Sequence, residues 1–464
     1  MSTLLFYFAF AIIKHMREQS VEQVASTEEI VIVSEETATK PSKKSNKKSN
    51  KPFKKAKTPK TEEELKKSKR KKRIIIVVVI ILILALAAGA VWLFCFSDIF
   101  KKKTDDQPAE EVPTEEAPKY YSRLSGLEIA NEAENTKPVY CVQVPNGADG
   151  ARPQAGLTEA PVVFEAIAEA GITRFAALFQ NAKAEAIGPI RSLRSYYLDW
   201  DTPFDCTVVH AGGATDAIAA LRAGGYREVD ESLVYMWRNY SSYWAPNNLF
   251  TSAALLEKAA ADDGYSSSNP QTLPRLTPKE TEDLVATARK NAGLDQPENS
   301  EDSSENTATE STDSVTPLVK EFSVNFGSVA TFNTVYRYDE NTNTYNRSYA
   351  SGEDHIVYDC VDTDKAQPDP KTDCGLARQV SPAAVAVMNV DEYLDTDNYH
   401  HVIQTIGTGT AHIFQNGTVT RGTWKKASKS AQIEFQDENG NTIAFTPGQL
   451  WIAAIPNSSG SVRY

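Results

Sequence analysis

The chain has 464 residues, with 49 Lys/Arg against 61 Asp/Glu, a formal net charge of -12 and five cysteines. Nothing in this acidic balance points to a nucleic-acid partner, and scattered histidines with no Cys-x-x-Cys spacing give no reason to expect a metal site. The charge is split by position: residues 1 to 73 hold 19 Lys/Arg against 9 acidic residues and the remainder 30 against 52, so the two sides of residue 73 face different surroundings.

The apolar stretch Leu4 to Ile13 is too short to cross a membrane and has no basic leader, which leaves Met16 as an alternative start. Residues 1 to 73 read as a disordered basic cytoplasmic tail, Lys-rich and nearly free of aromatics, with too little apolar surface to offset the entropy of ordering. Residues 74 to 96 then run without a charge, β-branched and Leu/Ala-rich on every face. About 20 such residues cross a bilayer core of about 30 Å, so a single transmembrane helix is predicted, with the lipid bilayer as its partner. The cluster Lys66, Lys67, Lys69, Arg70, Lys71, Lys72 and Arg73 outweighs Lys101 to Lys103 and keeps the N-terminus in the cytoplasm. With no small-x-small cleavage site and no lipidation motif after it, the run reads as a retained signal anchor that places the rest outside the cell membrane. Residues 97 to 118 form an acidic, Pro-containing stalk.

From Lys137 short apolar runs alternate with helix-like stretches. Val139 to Val144, Val162 to Ala168, Phe175 to Phe179 and Cys206 to Val209 read as strands. After the last comes His210-Ala-Gly-Gly-Ala-Thr215, then a helix over Asp216 to Ala223 closed by Gly224 and Gly225, with Thr215 able to cap it. A glycine turn entering a helix can cradle an anion on backbone N–H groups, which makes Gly212 and Gly213 candidates; it also simply turns a chain. Outside the span, Cys141, Cys206, Cys360 and Cys374 permit zero, one or two bridges, with Cys360 and Cys374 the favoured pair because they close a short loop.

Residues 294 to 317 are almost wholly Ser, Thr, Glu, Asp and Asn, a solvated linker or insertion between domains at 119 to 293 and 318 to 464. In the second domain Phe322 to Phe326, Thr334 to Tyr338, Tyr345 to Tyr349, Val385 to Val390, Val402 to Ile406, Ala411 to Phe414, Thr418 to Trp424, Ala431 to Phe435, Thr442 to Phe445 and Leu450 to Ile455 have strand character. Asn416-Gly417 and Asn439-Gly440 are hairpin turns. The fold class is therefore α+β, with a mixed α/β N-terminal part and a mainly antiparallel β C-terminal part.

Four arginines, Arg152, Arg174, Arg191 and Arg194, gather within a short stretch of an otherwise acidic region. Clustered guanidinium groups suit bidentate capture of phosphate or carboxylate. They also serve as structural partners for Glu165, Glu169 and Asp199. His210, at a strand end, is a candidate general base, although a lone histidine more often bonds a backbone carbonyl. Ser192 lacks a visible activating base. Trp237, Arg238, Tyr240, Tyr243 and Trp244 could stack on a sugar or pack beneath a loop.

Taken in order, Ala151-Arg152-Pro153-Gln154-Ala155-Gly156-Leu157, Gly171-Ile172-Thr173-Arg174-Phe175, Ile187-Gly188-Pro189-Ile190-Arg191-Ser192-Leu193-Arg194 and His210-Ala211-Gly212-Gly213 resemble the YerB-like family of bacterial envelope proteins. That resemblance covers about residues 120 to 464 and implies paired domains of unknown function, with a mixed α and β architecture in which both can pack into one body. The family's Pro-His-Asn-Leu is replaced by Pro246-Asn247-Asn248-Leu249, leaving Asn247 and Asn248 as supporting polar residues without an imidazole. The family's usual lipid-anchor cysteine is replaced by the apolar run at 74 to 96. Two functions carry most weight: a binding or scaffold module for an envelope polymer or envelope protein, and an enzyme on phosphorylated or lipid-linked glycopolymers using the arginines as an anion site. The second is prompted by a layout similar to that of the LytR-CpsA-Psr phosphotransferases. A third is a signalling protein whose basic tail contacts cytoplasmic partners.

Overall fold

Apolar side chains on both faces of successive strands require cover on both sides, and that requirement organises this protein. The computed structural model describes residues 118–294, 316–327 and 329–464. The described residues all belong to a unit spanning Pro113–Tyr464. The tail, the apolar run at 74 to 96, the stalk up to residue 117 and most of the linker at 294 to 317 lie outside the described residues. Among the described residues no helix is long and apolar enough to cross a membrane.

The central sheet has ten strands: β1 (Val139–Pro145), β2 (Val162–Glu169), β3 (Ile172–Phe179), β4 (Cys206–His210), β5 (Glu228–Asp230), β6 (Ala384–Val390), β7 (Gly407–Gln415), β8 (Thr418–Lys426), β9 (Glu434–Asp437) and β10 (Leu450–Pro456). Their order is β9-β8-β7-β6-β10-β2-β3-β1-β4-β5. Strands from both sequence halves thus form one sheet, joined where β10 lies parallel to β2 with Leu450 opposite Val162 and Ala453 opposite Glu165. Within this sheet the strands of the second half are antiparallel apart from this join and the parallel pair β6 and β10.

Alternate residues feed two cores. Val139 and Cys141 face one, covered by α1 (Ser195–Asp201) and α2 (Thr215–Ala223) through Tyr197, Trp200 and Leu221. Tyr140, Val142 and Val144 face the other, covered by α3 (Ala253–Asp262) and by a second sheet that supplies Phe322, Tyr336 and Tyr345. That sheet is antiparallel and comprises Thr344–Tyr349, Thr334–Asp339, Glu321–Asn325 and the C-terminal Ser461–Arg463. A small third sheet sets Ile356–Asp359 parallel to Gln154–Ala155, a second link between the halves. Another helix, α4 (Pro278–Asn291), begins with a capping box between Thr277 and Glu280.

Local chemistry explains most boundaries. The turn between β7 and β8 holds Asn416 at φ 55° and Gly417 at φ 69°, the left-handed pair that a two-residue hairpin requires. The end of α2 is a Schellman turn in which Gly225, at φ 66°, donates to Arg222 O and Tyr226 donates to Leu221 O. Its start differs from expectation: Ala214, not Thr215, is the N-cap and provides no side-chain bond. Thr442 to Phe445 is not a strand, because Phe445 leaves the sheet to exchange backbone bonds with Pro274 and Leu276. The expected strand at Ala431 to Phe435 begins only at Glu434, since Lys426 Nζ gathers the carbonyls of Lys429 and Ala431 into a turn. Val402 to Ile406 is a strand only over His401–Ile403; Thr405 instead donates to Asp199. Two disulfides are present, Cys141–Cys206 between the parallel strands β1 and β4, and Cys360–Cys374.

Candidate functional site

The strand directions collect chemistry at one edge of the sheet. Since β1 is parallel to β4 and antiparallel to β3, while β2 is antiparallel to β3, the ends of β1, β2 and β4 and the start of β3 share that edge. The carboxyl ends of parallel strands are where open α/β sheets commonly bind ligands. The segment 187–194 is sewn across it: Arg191 N donates to Gln143 O, Ala211 N to Arg191 O, and Leu193 N to Gly212 O.

Three of the four candidate arginines come together there. Arg174 Nη2 lies 2.5 Å from Glu169 Oε1 and Arg194 Nη2 lies 2.7 Å from Glu169 Oε2, all three side chains being nearly inaccessible. Arg174 Nη1 donates to Ser192 O and Arg194 Nη1 to Leu193 O, while Nε of each is buried without a hydrogen-bond partner among the described residues. Burial pushes the Arg174 guanidinium pKa down, and the Glu169 carboxylate opposes this. Two cations over one anion leave an excess of positive charge. Arg191 is half-buried, and among the described residues its side chain makes no hydrogen bond or ion pair. Burial lowers its pKa too, with Glu169 opposing and Arg194 adding to the shift; Asp149 and Tyr399 are its other charged or titratable neighbours.

Arg152 has a different environment. Its guanidinium sits 3.6 Å over the Tyr349 ring, and Nε donates to Asn146 O and Oδ1 at 3.1 and 3.0 Å. Glu165 pairs with none of the four. Its carboxylate oxygens are both 3.0 Å from Arg347 Nη2 and also accept from Thr173 Oγ1 at 3.0 Å and Trp451 Nε1 at 2.8 Å. Arg347 Nη1 donates to His355 Nδ1 at 2.5 Å, so Nε2 carries the ring proton and donates to Gln154 Oε1 at 3.0 Å. Burial first, then Arg347 and Arg152, push the His355 pKa well below its ordinary value. This closed network spans both halves and is sealed from solvent, with Glu165 and Arg347 at 0% exposure. Arg347 escaped the sequence reading, although the alternation Tyr345, Arg347, Tyr349 sets it on the inward face of its strand.

His210 is wholly buried, with Nδ1 2.9 Å from Gly212 O, the bland arrangement for a lone histidine. Its Nε2 lies 3.4 Å from Glu228 Oε2. The glycine turn is largely spent internally: Gly212 N donates to Asp230 Oδ1 at 2.8 Å and Ala214 N to Leu193 O. A side chain at Gly213 would meet Ile218 at 2.9 Å and Leu193 O at 3.1 Å, so that glycine serves close packing of α2. Asn248 is buried and accepts from Arg238 Nη1 at 2.8 Å, whereas Asn247 Nδ2 reaches toward Asp149 O at 3.5 Å. Of the aromatics, Trp237 and Tyr243 are buried while Tyr240 and Trp244 are 76% and 80% exposed.

The residues of this edge fall within a domain shared with other proteins. Residues 124–266 match the family described as "Protein of unknown function (DUF3048) N-terminal domain" and residues 322–452 match its C-terminal domain. The chain belongs to the YerB-like family. Its similarity to YerB of Bacillus subtilis (strain 168), a relative whose name describes a lipoprotein, is 28% identity over 373 residues, covering 79% of this chain and 95% of the relative. The crystal structure of the YerB protein from Bacillus subtilis shares the fold with a TM-score of 0.56 at 24% identity, covering 74% of this chain and all of the other. The family pairs two domains, and in this member strands of both complete a single sheet.

Proposed function

We propose that this protein is a membrane-anchored, extracytoplasmic binding or scaffold module of the cell envelope, with an anionic envelope polymer or acidic protein surface as its ligand and Arg191 at the centre of the contact. The observation that carries this reading is the state of the arginines: Arg174 and Arg194 are consumed by Glu169, whereas Arg191 beside them is half-exposed and has no hydrogen-bond or ion-pair partner among the described residues. The exposed ring of Tyr399 is among its neighbours. Arginine with aromatic neighbours is the composition of binding hot spots. Catalysis through His210 has less support, because its ring is buried and Nδ1 is committed to Gly212 O.

The envelope location rests on the apolar run at 74 to 96 behind a basic cytoplasmic flank, and two disulfides suit an oxidising compartment. The relative named as a lipoprotein is consistent with the same compartment by another anchor. The test is retention of the full-length protein on acidic cell-wall polymer. Arg191→Ala should abolish retention without changing the melting temperature, and Arg194→Ala should lower the melting temperature. Undiminished retention by Arg191→Ala would remove this surface as the binding site, and turnover of the polymer would favour an enzyme.

A further inference from the structure

Leu233, Val234, Tyr240 and Trp244 are the four most exposed large hydrophobic side chains among the described residues, and all four fall in one short stretch after β5. They stand on braced turns. Tyr235 N donates to Ser232 O across the turn that carries Leu233 and Val234. In the next loop Asn239 Oδ1 accepts from Ser241 N and Ser242 N at 2.9 and 3.1 Å, Ser242 Oγ donates to Asp369 Oδ2 at 2.6 Å, and Tyr243 OH donates to Pro153 O at 2.8 Å. Tyr240 and Trp244 are thus held open to solvent by a loop already ordered for contact. The stretch 231–248 has only two charged residues, Glu231 and Arg238, and they pair with each other, so this surface is neutral on an acidic protein.

Tyr240 OH, Ser241 Oγ and Trp244 Nε1 make no hydrogen bond among the described residues, which leaves polar groups at the rims of two open rings. A pyranose matches that character, apolar on its face and hydroxylated at its edge, whereas a lipid tail has no polar edge. Position also speaks against the chain's own membrane. The described chain begins at the opposite edge of the sheet, where Tyr121 O accepts from Asn135 Nδ2 just before β1 and Ser125 O accepts from Gly448 N just before β10. The two rings lie instead beside the arginine edge: Asp149 is a charged neighbour of Arg191, a Cβ at the adjoining Gly150 would lie 4.0 Å from Trp244 Cδ1, and Asn247 Nδ2 reaches toward Asp149 O. One extended ligand can therefore meet both. We propose that Trp244 and Tyr240 form a stacking platform for sugar rings continuous with Arg191, so that the ligand of this edge is an acidic polysaccharide and not an acidic protein. The acidic part of this assignment rests on the reading of Arg191 as an anion contact; the platform does not.

Calorimetric titration of the full-length protein in lipid nanodiscs tests this with three probes: a hyaluronan hexasaccharide, which alternates acidic and neutral sugars, chitohexaose, which has neutral sugars alone, and hexaglutamate, which has acid groups alone. The hyaluronan probe should bind most tightly, and Trp244→Ala and Arg191→Ala should each weaken it about tenfold. Trp244→Ala should weaken chitohexaose to the same degree and leave hexaglutamate unchanged, at an unaltered melting temperature. Leu233→Ser, on the neighbouring turn, should leave all three unchanged. Absence of saturable binding by either sugar, or sugar binding that survives Trp244→Ala, would overturn the platform, while hexaglutamate binding lost in Arg191→Ala would still uphold the anion contact. Equal losses in Leu233→Ser and Trp244→Ala would mark a general apolar contact with lipid or protein and overturn it as well. Hyaluronan binding that depends on Trp244 and ignores Arg191→Ala would instead refute the anion contact and with it the acidic ligand.

Discussion

Arg347 Nη2 stands 3.0 Å from both carboxylate oxygens of Glu165, and the two residues come from opposite halves of the sequence. Neither side chain has any exposure. Glu165 lies on β2 next to the join with β10, so the pair sits where the halves meet. Tyr336, His355, Thr173 and Trp451 satisfy the remaining polar atoms of both charges.

Removing one partner strands a buried charge. Arg347→Met or Glu165→Gln should therefore each destabilise the protein by about 3–5 kcal/mol, with both domains melting together because they share one sheet. Replacing both residues should cost less than the sum of the single changes, since no isolated charge remains. Urea unfolding of the two single variants and the double variant checks this. Additive losses would mean that the pair does not act as a unit.

A pH effect is expected at Asp201. Burial raises its pKa well above the ordinary value, and the hydrogen bond from Gln143 only partly opposes that. Gln143 Nε2 donates to Asp201 Oδ2 at 3.2 Å, while Asp201 Oδ1 and Gln143 Oε1 are both left without a donor. A proton on Oδ1 serves the pair. A carboxyl whose folded pKa is raised contributes its stability below the unfolded value of about 3.9, and that contribution is lost as pH rises through the folded value. Asp201→Asn should accordingly raise the melting temperature at neutral pH, with the gain disappearing below about pH 4. Melting curves of both proteins across pH provide the measurement, and a gain independent of pH would refute the assignment.

The disulfides predict a specific pattern of linked peptides. Protein isolated without reductant should yield Cys141 joined to Cys206 and Cys360 joined to Cys374 in non-reducing mass spectrometry. Replacing Cys141 and Cys206 by alanine should cost about 2–5 kcal/mol. Free thiols at all four positions in the native protein would contradict both the pairing and the oxidising compartment.

Much of the scaffold was legible because local signals and burial agree. The largely apolar run at Val139 to Val144 became β1, and Asn416-Gly417 made the hairpin its backbone angles favour. Thr442 to Phe445 has strand composition, but a distant backbone partner at Pro274 competes for Phe445, and no window of sequence displays that partner. The site was legible in composition and not in pairing. The gathering of Arg174, Arg191 and Arg194 was visible, and Glu169 proved to be the acid that binds two of them. Glu165, expected in the same role, instead takes Arg347, some 180 residues away. Distance along the chain hides such a choice, because the period of a strand reports which face a residue occupies and never which strand it meets.

The position of β10 sets an order in time. This strand lies between β6 and β2, yet Leu450–Pro456 is made after every other strand of the sheet. Until it arrives, β2 presents an unpaired edge, the kind of surface that recruits other strands and aggregates. Completion of the sheet thus waits for β10, and contacts this remote in sequence close slowly. A chain truncated before Leu450 would lose the register of both halves at once, and a cell making this protein must shield the waiting edge until β10 is in place.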